Sequence, residues 1–249
     1  MNAGRFFCSI LLLFLTITTT PVAAEEINYN LYLNLGFINI NAGKAQLIEK
    51  DIIYDGKKAV YTRLSMSTGR NTDKIFILRD TIESYNTAAG EGIRYRKIVN
   101  EGSKSNVETA VFSKDRGRYI VNLQTVDALT GKVSEESTEW RPEPIFDMLS
   151  MLRFARSIKT DNKEVGHTEI LPMVNGSMVV EQHLVYEGTK RVKADDKNRY
   201  DCMVISVRDR KYGRERETLK AYVTQDMTHK PIQLDIIIGI ASIRALLAE

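Results

Sequence analysis

The sequence predicts an all-β, mainly antiparallel fold: a strongly curved sheet or open barrel with one apolar helix packed in or against it. Three observations carry this. From residue 25 onward apolar and polar residues alternate nearly throughout. Ile27, Tyr29, Leu31, Leu33 and Leu35 fall on one face, and Asn28, Asn30, Tyr32 and Asn34 on the other, the period of a strand with one wet face. Turn residues punctuate the alternation at short intervals, as in Asp55-Gly56, Gly90-Glu91-Gly92, Asp115-Arg116-Gly117 and Thr130-Gly131. One stretch alone, 144–158, switches to helical spacing.

The N-terminus reads as a cleavable signal peptide over residues 1–24. Arg5 is its one charge, 10–15 its apolar centre and Val22-Ala23-Ala24 its small-residue cleavage site. The run is too short, and too diluted by Thr16, Thr18, Thr19 and Thr20, for a membrane helix of about 20 apolar residues. Cys8 precedes the apolar centre, the wrong place for a lipidated cysteine. The expected mature chain, 25–249, is a single exported β domain with no transmembrane segment. Only Cys202 remains in it, so no intramolecular disulfide can form. A signal peptide on a disulfide-free chain points to a periplasmic location. The formal net charge of the whole chain is +3, and removing Arg5 leaves +2, too near neutral for a dedicated nucleic-acid binder.

Strands are expected at 27–35, 44–53, 57–67, 74–78, 82–88, 93–100, 107–113, 118–125 and 132–140, with Gly36 marking a bulge. After the helix they resume at 167–173, 178–186, 191–194, 201–208, 217–225 and 230–238. In 217–225 the pattern puts Leu219, Ala221 and Val223 inward, with Thr218, Lys220, Tyr222 and Thr224 outward. Residues 239–249 suit a strand or a helix, and the alternation of Ile243, Ala245 and Leu247 favours a strand after a break at Gly239. No repeat and no Pro/Gly/Ser-rich linker divides the chain.

In the helical stretch Pro144 suits a first turn, Asp147 its positive end, and Arg153, Arg156 and Lys159 its negative end. Ile145, Met148, Leu149, Leu152 and Ala155 make one stripe. Phe146, Met151, Phe154 and Ile158 carry apolar surface most of the way round. Such a helix is mostly enclosed, as a lid or a plug.

Motifs of chemistry are sparse. The histidines, His167, His183 and His229, have no metal-ligand spacing, so no metal is expected. His183 reads as an outward strand residue and His229 as a turn residue. There is no Gly-x-Ser-x-Gly elbow, phosphate loop or dinucleotide fingerprint, and no cofactor is expected. Cys202 sits in an apolar strand and reads as a small buried hydrophobe. Asp80, Glu83, Asp147 and Asp226 are the carboxylates that acid–base chemistry could use, although Asp80 and Asp226 also suit strand ends and turns. Residues 190–220 hold eleven bases against six acids. That suits an anionic headgroup patch or a solvated hairpin with its tip at Tyr212-Gly213.

Several stretches, in order, resemble an uncharacterised family of exported bacterial proteins, domain of unknown function 3108. They are the opening strand with Gly36 and Ala42-Gly43-Lys44-Ala45, Phe76-Ile77-Leu78-Arg79-Asp80 with Ile82-Glu83-Ser84, and Asp147-Met148-Leu149-Ser150-Met151-Leu152-Arg153. Tyr200-Asp201-Cys202, the turn from Asp226 through His229 to Pro231, and Gly239-Ile240-Ala241-Ser242 complete the set. The match resembles the versions of Bacteroides-type bacteria. It implies a periplasmic β domain and brings no established activity. A looser likeness is to the periplasmic lipoprotein carriers, which wrap a curved sheet round an apolar cavity.

The expected function is therefore non-enzymatic: binding of a hydrophobic or lipid-like ligand within the curved sheet. Asp80, Asp147, Arg153 and Arg156 are the candidate ligand-binding residues, the arginines set to meet a headgroup at a pocket mouth. One alternative is an envelope structural or interaction protein with a self-filled core, its partner another envelope protein. A carboxylate-based hydrolase is the other, with Asp80 and Asp147 facing one cleft.

Overall fold

Alternation of this kind has to close on itself, because a long open sheet would leave two bare edges. A computed structural model of the chain describes residues 24–36, 38–74, 77–101, 104–159, 163–211, 214–238 and 241–248. The described residues hold two consecutive meanders. The first is β1 (Ala24–Leu35), β2 (Ile38–Tyr54), β3 (Lys57–Thr68), β4 (Arg79–Thr87), β5 (Gly92–Glu101), β6 (Lys104–Asp115), β7 (Arg118–Asp127) and β8 (Val133–Arg141). The helix α1 (Met148–Ser157) follows. The second meander is β9 (Thr168–Asn175), β10 (Met178–Lys193), β11 (Arg199–Lys211), β12 (Arg214–Thr224), β13 (Pro231–Ile238) and β14 (Ala241–Leu247). β14 pairs with β1 over Tyr29↔Leu247 to Leu35↔Ala241. All fourteen strands thereby join one antiparallel, barrel-shaped sheet whose edges are β8 and β9.

The two edges do not share a backbone ladder. Side chains of β8 reach the start of β10 instead. Glu139 Oε1 accepts the Val179 N–H at 2.8 Å, Arg141 donates to the Val179 carbonyl at 3.0 Å, and Ser137 donates to the Ser177 carbonyl at 2.5 Å. These contacts close the barrel at a seam.

The core lines the interior, with Ile27, Tyr29 and Leu31 from β1, Leu47 from β2, Ile205 and Val207 from β11, and Leu149, Leu152 and Ala155 from α1. Each Leu, Ile or Val side chain buried in this way contributes about 1.5–3 kcal/mol. At Asp55-Gly56 both residues have positive φ, +49° and +73°, the two-residue turn whose twist suits a hairpin. Gly43 answers a different demand: a Cβ there would lie 2.0 Å from the Ser67 carbonyl oxygen on β3.

Several boundaries differ from expectation. Residues 1–23, Tyr212-Gly213 and Gly239 lie outside the described residues, and with them the leader, the basic hairpin tip and the expected break. Gly36 sits in the hairpin turn at φ +57°, and the bulge lies at Leu31/Tyr32. Of the strand expected at 74–78, residues 75–76 lie outside the described residues, Lys74 ends a 3-10 turn at Thr72–Lys74, and Leu78 is a bridge residue. Asp73 holds this turn, taking the Arg79 guanidinium at 2.6 Å and the Thr68 hydroxyl at 2.5 Å. The strands expected at 178–186 and 191–194 are one, β10, carried through Gly188 by a register shift. Tyr222 and Thr224, expected outward, are buried. The ring of Tyr222 lies under Lys190, and the Thr224 hydroxyl bonds to Asp226. The terminal stretch is the expected strand.

The helix begins at Met148, not at 144. Phe146 is held extended, because its N–H donates to the Pro172 carbonyl and its own carbonyl accepts the Val174 N–H, both at 2.8 Å. This parallel bridge covers part of the β9 edge. Asp147 then caps α1.

Candidate functional site

The two faces of α1 do different things. Ser150, Arg153, Phe154 and Ser157 look toward a pocket of about 350 Å³ that Phe146, Pro144 and the loop at 88–91 complete. Met148, Leu149, Met151 and Leu152 look the opposite way, into a cavity of about 270 Å³ inside the sheet. Val207 of β11, Leu219 of β12 and Leu234 and Ile236 of β13 face them across it. Residues three and four apart share a helix face. The spacing that makes α1 look apolar all round therefore serves two walls.

The inner cavity is mainly apolar, with Asn175, Gln182, Asp209 and Thr218 as the polar residues of its lining. Gln182 of β10 and Asp209 of β11 stand directly opposite each other in the antiparallel register and line the same space. Gln182 is 2% exposed. Its Oε1 and the Oδ1 of Asp209 are buried and have no hydrogen-bond partner among the described residues. Burying an oxygen in that state costs about 1–3 kcal/mol, and more when it carries charge. Packing alone does not account for two such atoms side by side.

A third, wider hollow of about 650 Å³ lies over the outer faces of β1 to β4, lined by polar side chains such as Asn28, Lys44, Gln46 and Ser67.

The sequence that folds into this barrel matches a known family. The family described as protein of unknown function DUF3108 matches residues 28–248. The chain belongs to that family. The DUF3108 fold is similar to that of the β-barrel-like protein of domain of unknown function DUF1849 from Brucella abortus. That crystal structure aligns with a TM-score of 0.54 at 13% identity, over 92% of this chain and 96% of that one. At such identity the likeness is one of fold. No curated protein matches the sequence.

None of the four expected binding residues of the DUF3108 chain lines the inner cavity. Asp147, fully buried, accepts the Leu149 and Ser150 N–H groups on Oδ1 at 2.8 and 2.9 Å, and the Ser84 hydroxyl on Oδ2 at 2.6 Å. Burial raises its pKa, and these donors oppose the rise. Asp80 is also buried and accepts the Asn100 N–H at 2.9 Å. The β4–β5 register reaches only Thr81↔Ile98, so the carboxylate stands in for the missing ladder partner. The two aspartates do not share a cleft, although both push up the pKa of the buried Tyr95 hydroxyl, after the larger effect of burial itself.

Arg153 lines the outer pocket of α1, with Nε 3.7 Å from Glu49. Arg156 is 11% exposed in its side chain and clamps the helix end. It donates to the His229 carbonyl at 2.8 Å and to Glu25 at 2.7 Å, and lies 3.9 Å from Glu49. His229 Nδ1 donates back to the Arg156 carbonyl at 2.5 Å. Glu49 thus brings the two arginines together.

His229 is the turn residue expected. His183 points away from the cavity but is buried, 3.3 Å from Glu215. Cys202 is fully buried, and burial pushes its thiol up to about 12. No group of three metal-ligating side chains occurs among the described residues, and no described helix is long and apolar enough to cross a membrane.

Sequence reasoning missed Gln182 and Asp209. A signal was present: Gln182 is in phase with Leu184 and Tyr186, and Asp209 with Ile205 and Val207. Each is a polar residue in an inward row. Only the register reveals that they meet.

Proposed function

We propose that this DUF3108 protein is an exported, non-catalytic binder of one small apolar ligand, held inside the sheet beneath α1. The observation that carries the reading is the 270 Å³ cavity walled by Met148, Leu152, Leu219, Leu234 and Ile236. Ligand sites are concave, largely apolar and furnished with a few placed polar groups. The volume is just under the roughly 300–1,000 Å³ usual for drug-sized ligands. It suits one short acyl or alkyl chain, and a two-chain lipid would not be enclosed. Arg153 in the outer pocket offers a charge near the helix without belonging to the apolar wall. The carboxylates Asp80 and Asp147 already bond to backbone and hydroxyl groups, which favours binding over acid–base chemistry.

Native mass spectrometry of protein purified without detergent, followed by organic extraction, tests this. A stoichiometric adduct of a few hundred daltons is the expected result. A clean apo mass, with no uptake of added short-chain amphiphiles, would leave a self-filled interaction module as the better account.

A further inference from the structure

Four buried side-chain polar atoms have no hydrogen-bond partner among the described residues: Arg63 Nε, Asn86 Oδ1, Gln182 Oε1 and Asp209 Oδ1. Two of the four line the apolar cavity beneath α1 and sit opposite each other in register. Both are oxygens, and an amide oxygen and a carboxylate oxygen only accept. Whatever completes them must donate.

We propose that the apolar ligand of this cavity carries a primary ammonium at its buried end, bound by Gln182 Oε1 and Asp209 Oδ1 together. The proposal rests on the binding function inferred above and specifies its ligand class. Three arguments select the ammonium. The first is donor count. A hydroxyl has one O–H and would leave one of the two oxygens unserved, whereas an ammonium has three N–H groups on one atom. The second is charge, because a carboxylate inside an apolar wall is strongly favoured by a cation beside it. The third is the state of the protein's own cations. Arg216, the register partner of Asp209 on β12, is exposed and makes no ion pair with it. Arg208 is committed to Glu187 at 2.8 Å and to Glu215 at 3.5 Å. Among the described residues, no basic side chain lines the cavity.

A carboxylate-headed ligand is selected against by charge, because its head would lie beside the Asp209 carboxylate in the same lining. Fatty acids are therefore poor occupants of this cavity despite their apolar chains.

Titration calorimetry of the purified protein with octylamine, 1-octanol and octanoate at pH 7 tests the idea, since the three share a chain and differ in the head. Octylamine should bind at least 10-fold more tightly than octanol, the ratio set by one charge-assisted hydrogen bond. Octanoate should bind more weakly than octanol. Asp209→Asn and Gln182→Leu should each lower the octylamine-to-octanol affinity ratio by about threefold or more, and their melting curves report whether they fold. Equal binding of all three, or preference for octanoate, would overturn the ammonium inference and leave the apolar cavity standing. Amine preference that survives both substitutions would overturn it as well, because the amine would then sit elsewhere. Failure of all three to bind would remove the binding function itself.

Discussion

Ser84 and Asp147, 63 residues apart, are joined by a 2.6 Å hydrogen bond from the serine hydroxyl to the aspartate carboxylate. The Asn86 amide donates to the same serine oxygen at 2.7 Å. This chain ties the N-terminus of α1 to the inward face of β4, whose polar row of Asp80, Ser84 and Asn86 would otherwise be out of place in a core. The helix is thereby docked by its cap as well as by its apolar stripe. Asp147→Ala should destabilise the fold by about 2–3 kcal/mol, combining loss of an N-cap with an orphaned Ser84 hydroxyl. Chemical denaturation measures this. Asp147→Asn keeps an acceptor for the helix N–H groups and should cost less.

The pH response of that pair has a definite sign. Burial raises the Asp147 pKa above its ordinary 3.8, so the folded state holds the proton more tightly than the unfolded chain does. The stabilising contribution of protonation is complete below that ordinary value and is lost as pH rises through the folded value. Asp147→Asn removes this dependence. Its stability relative to the parent should therefore improve from about pH 3 upward, as read by urea midpoints across the range.

Arg156 is a clamp, and its fork geometry matters. It serves a carboxylate and a backbone carbonyl at once, which a point-charge lysine does not reproduce. Arg156→Met should destabilise by about 1–2 kcal/mol and raise amide exchange in the last turn of α1. Arg156→Lys should recover less than half of the loss. Equal behaviour of lysine and arginine would reduce the role to net charge.

Cys202 should be chemically silent. With its thiol pushed up to about 12, the thiolate fraction at pH 8 is on the order of one in ten thousand. A thiol reagent should label the folded protein only at the rate of its unfolding and should label it promptly in denaturant. Prompt labelling of the native state would contradict the burial.

The cavity offers a stability test independent of any ligand. Leu219→Phe adds volume on its wall and should raise stability by about 0.5–1 kcal/mol if the added ring fills empty space. It should also abolish ligand uptake. Gains in thermal midpoint together with lost binding would place the binding space at the cavity.

Much of this architecture is legible in residue order, for identifiable reasons. Strand alternation is local, so β3, β5, β7 and β14 can be read from a few side chains each. The helix starts later than its spacing implies because Phe146, apolar and in phase, is held extended by a partner 27 residues away on β9. The span 74–78 reads as a strand until Asp73, paired with Arg79 and Thr68, turns the chain first. The charged residues that resemble a site, Asp147 and Arg156, are ones that dock α1. Gln182 and Asp209, ordinary strand residues by their neighbours, meet only because of pairing between strands, and composition carries no record of register.

The seam between β8 and β10 bears on how such a protein could change its contents. In a fully laddered barrel, strand number and shear together set the diameter, and widening it requires breaking backbone pairs. Here the last closure is made by Ser137, Glu139 and Arg141 reaching backbone groups of Ser177 and Val179. No strand ladder has to break for these three contacts to part. The girth of this sheet is thus fastened, in the manner of a belt, by side chains rather than by backbone pairing.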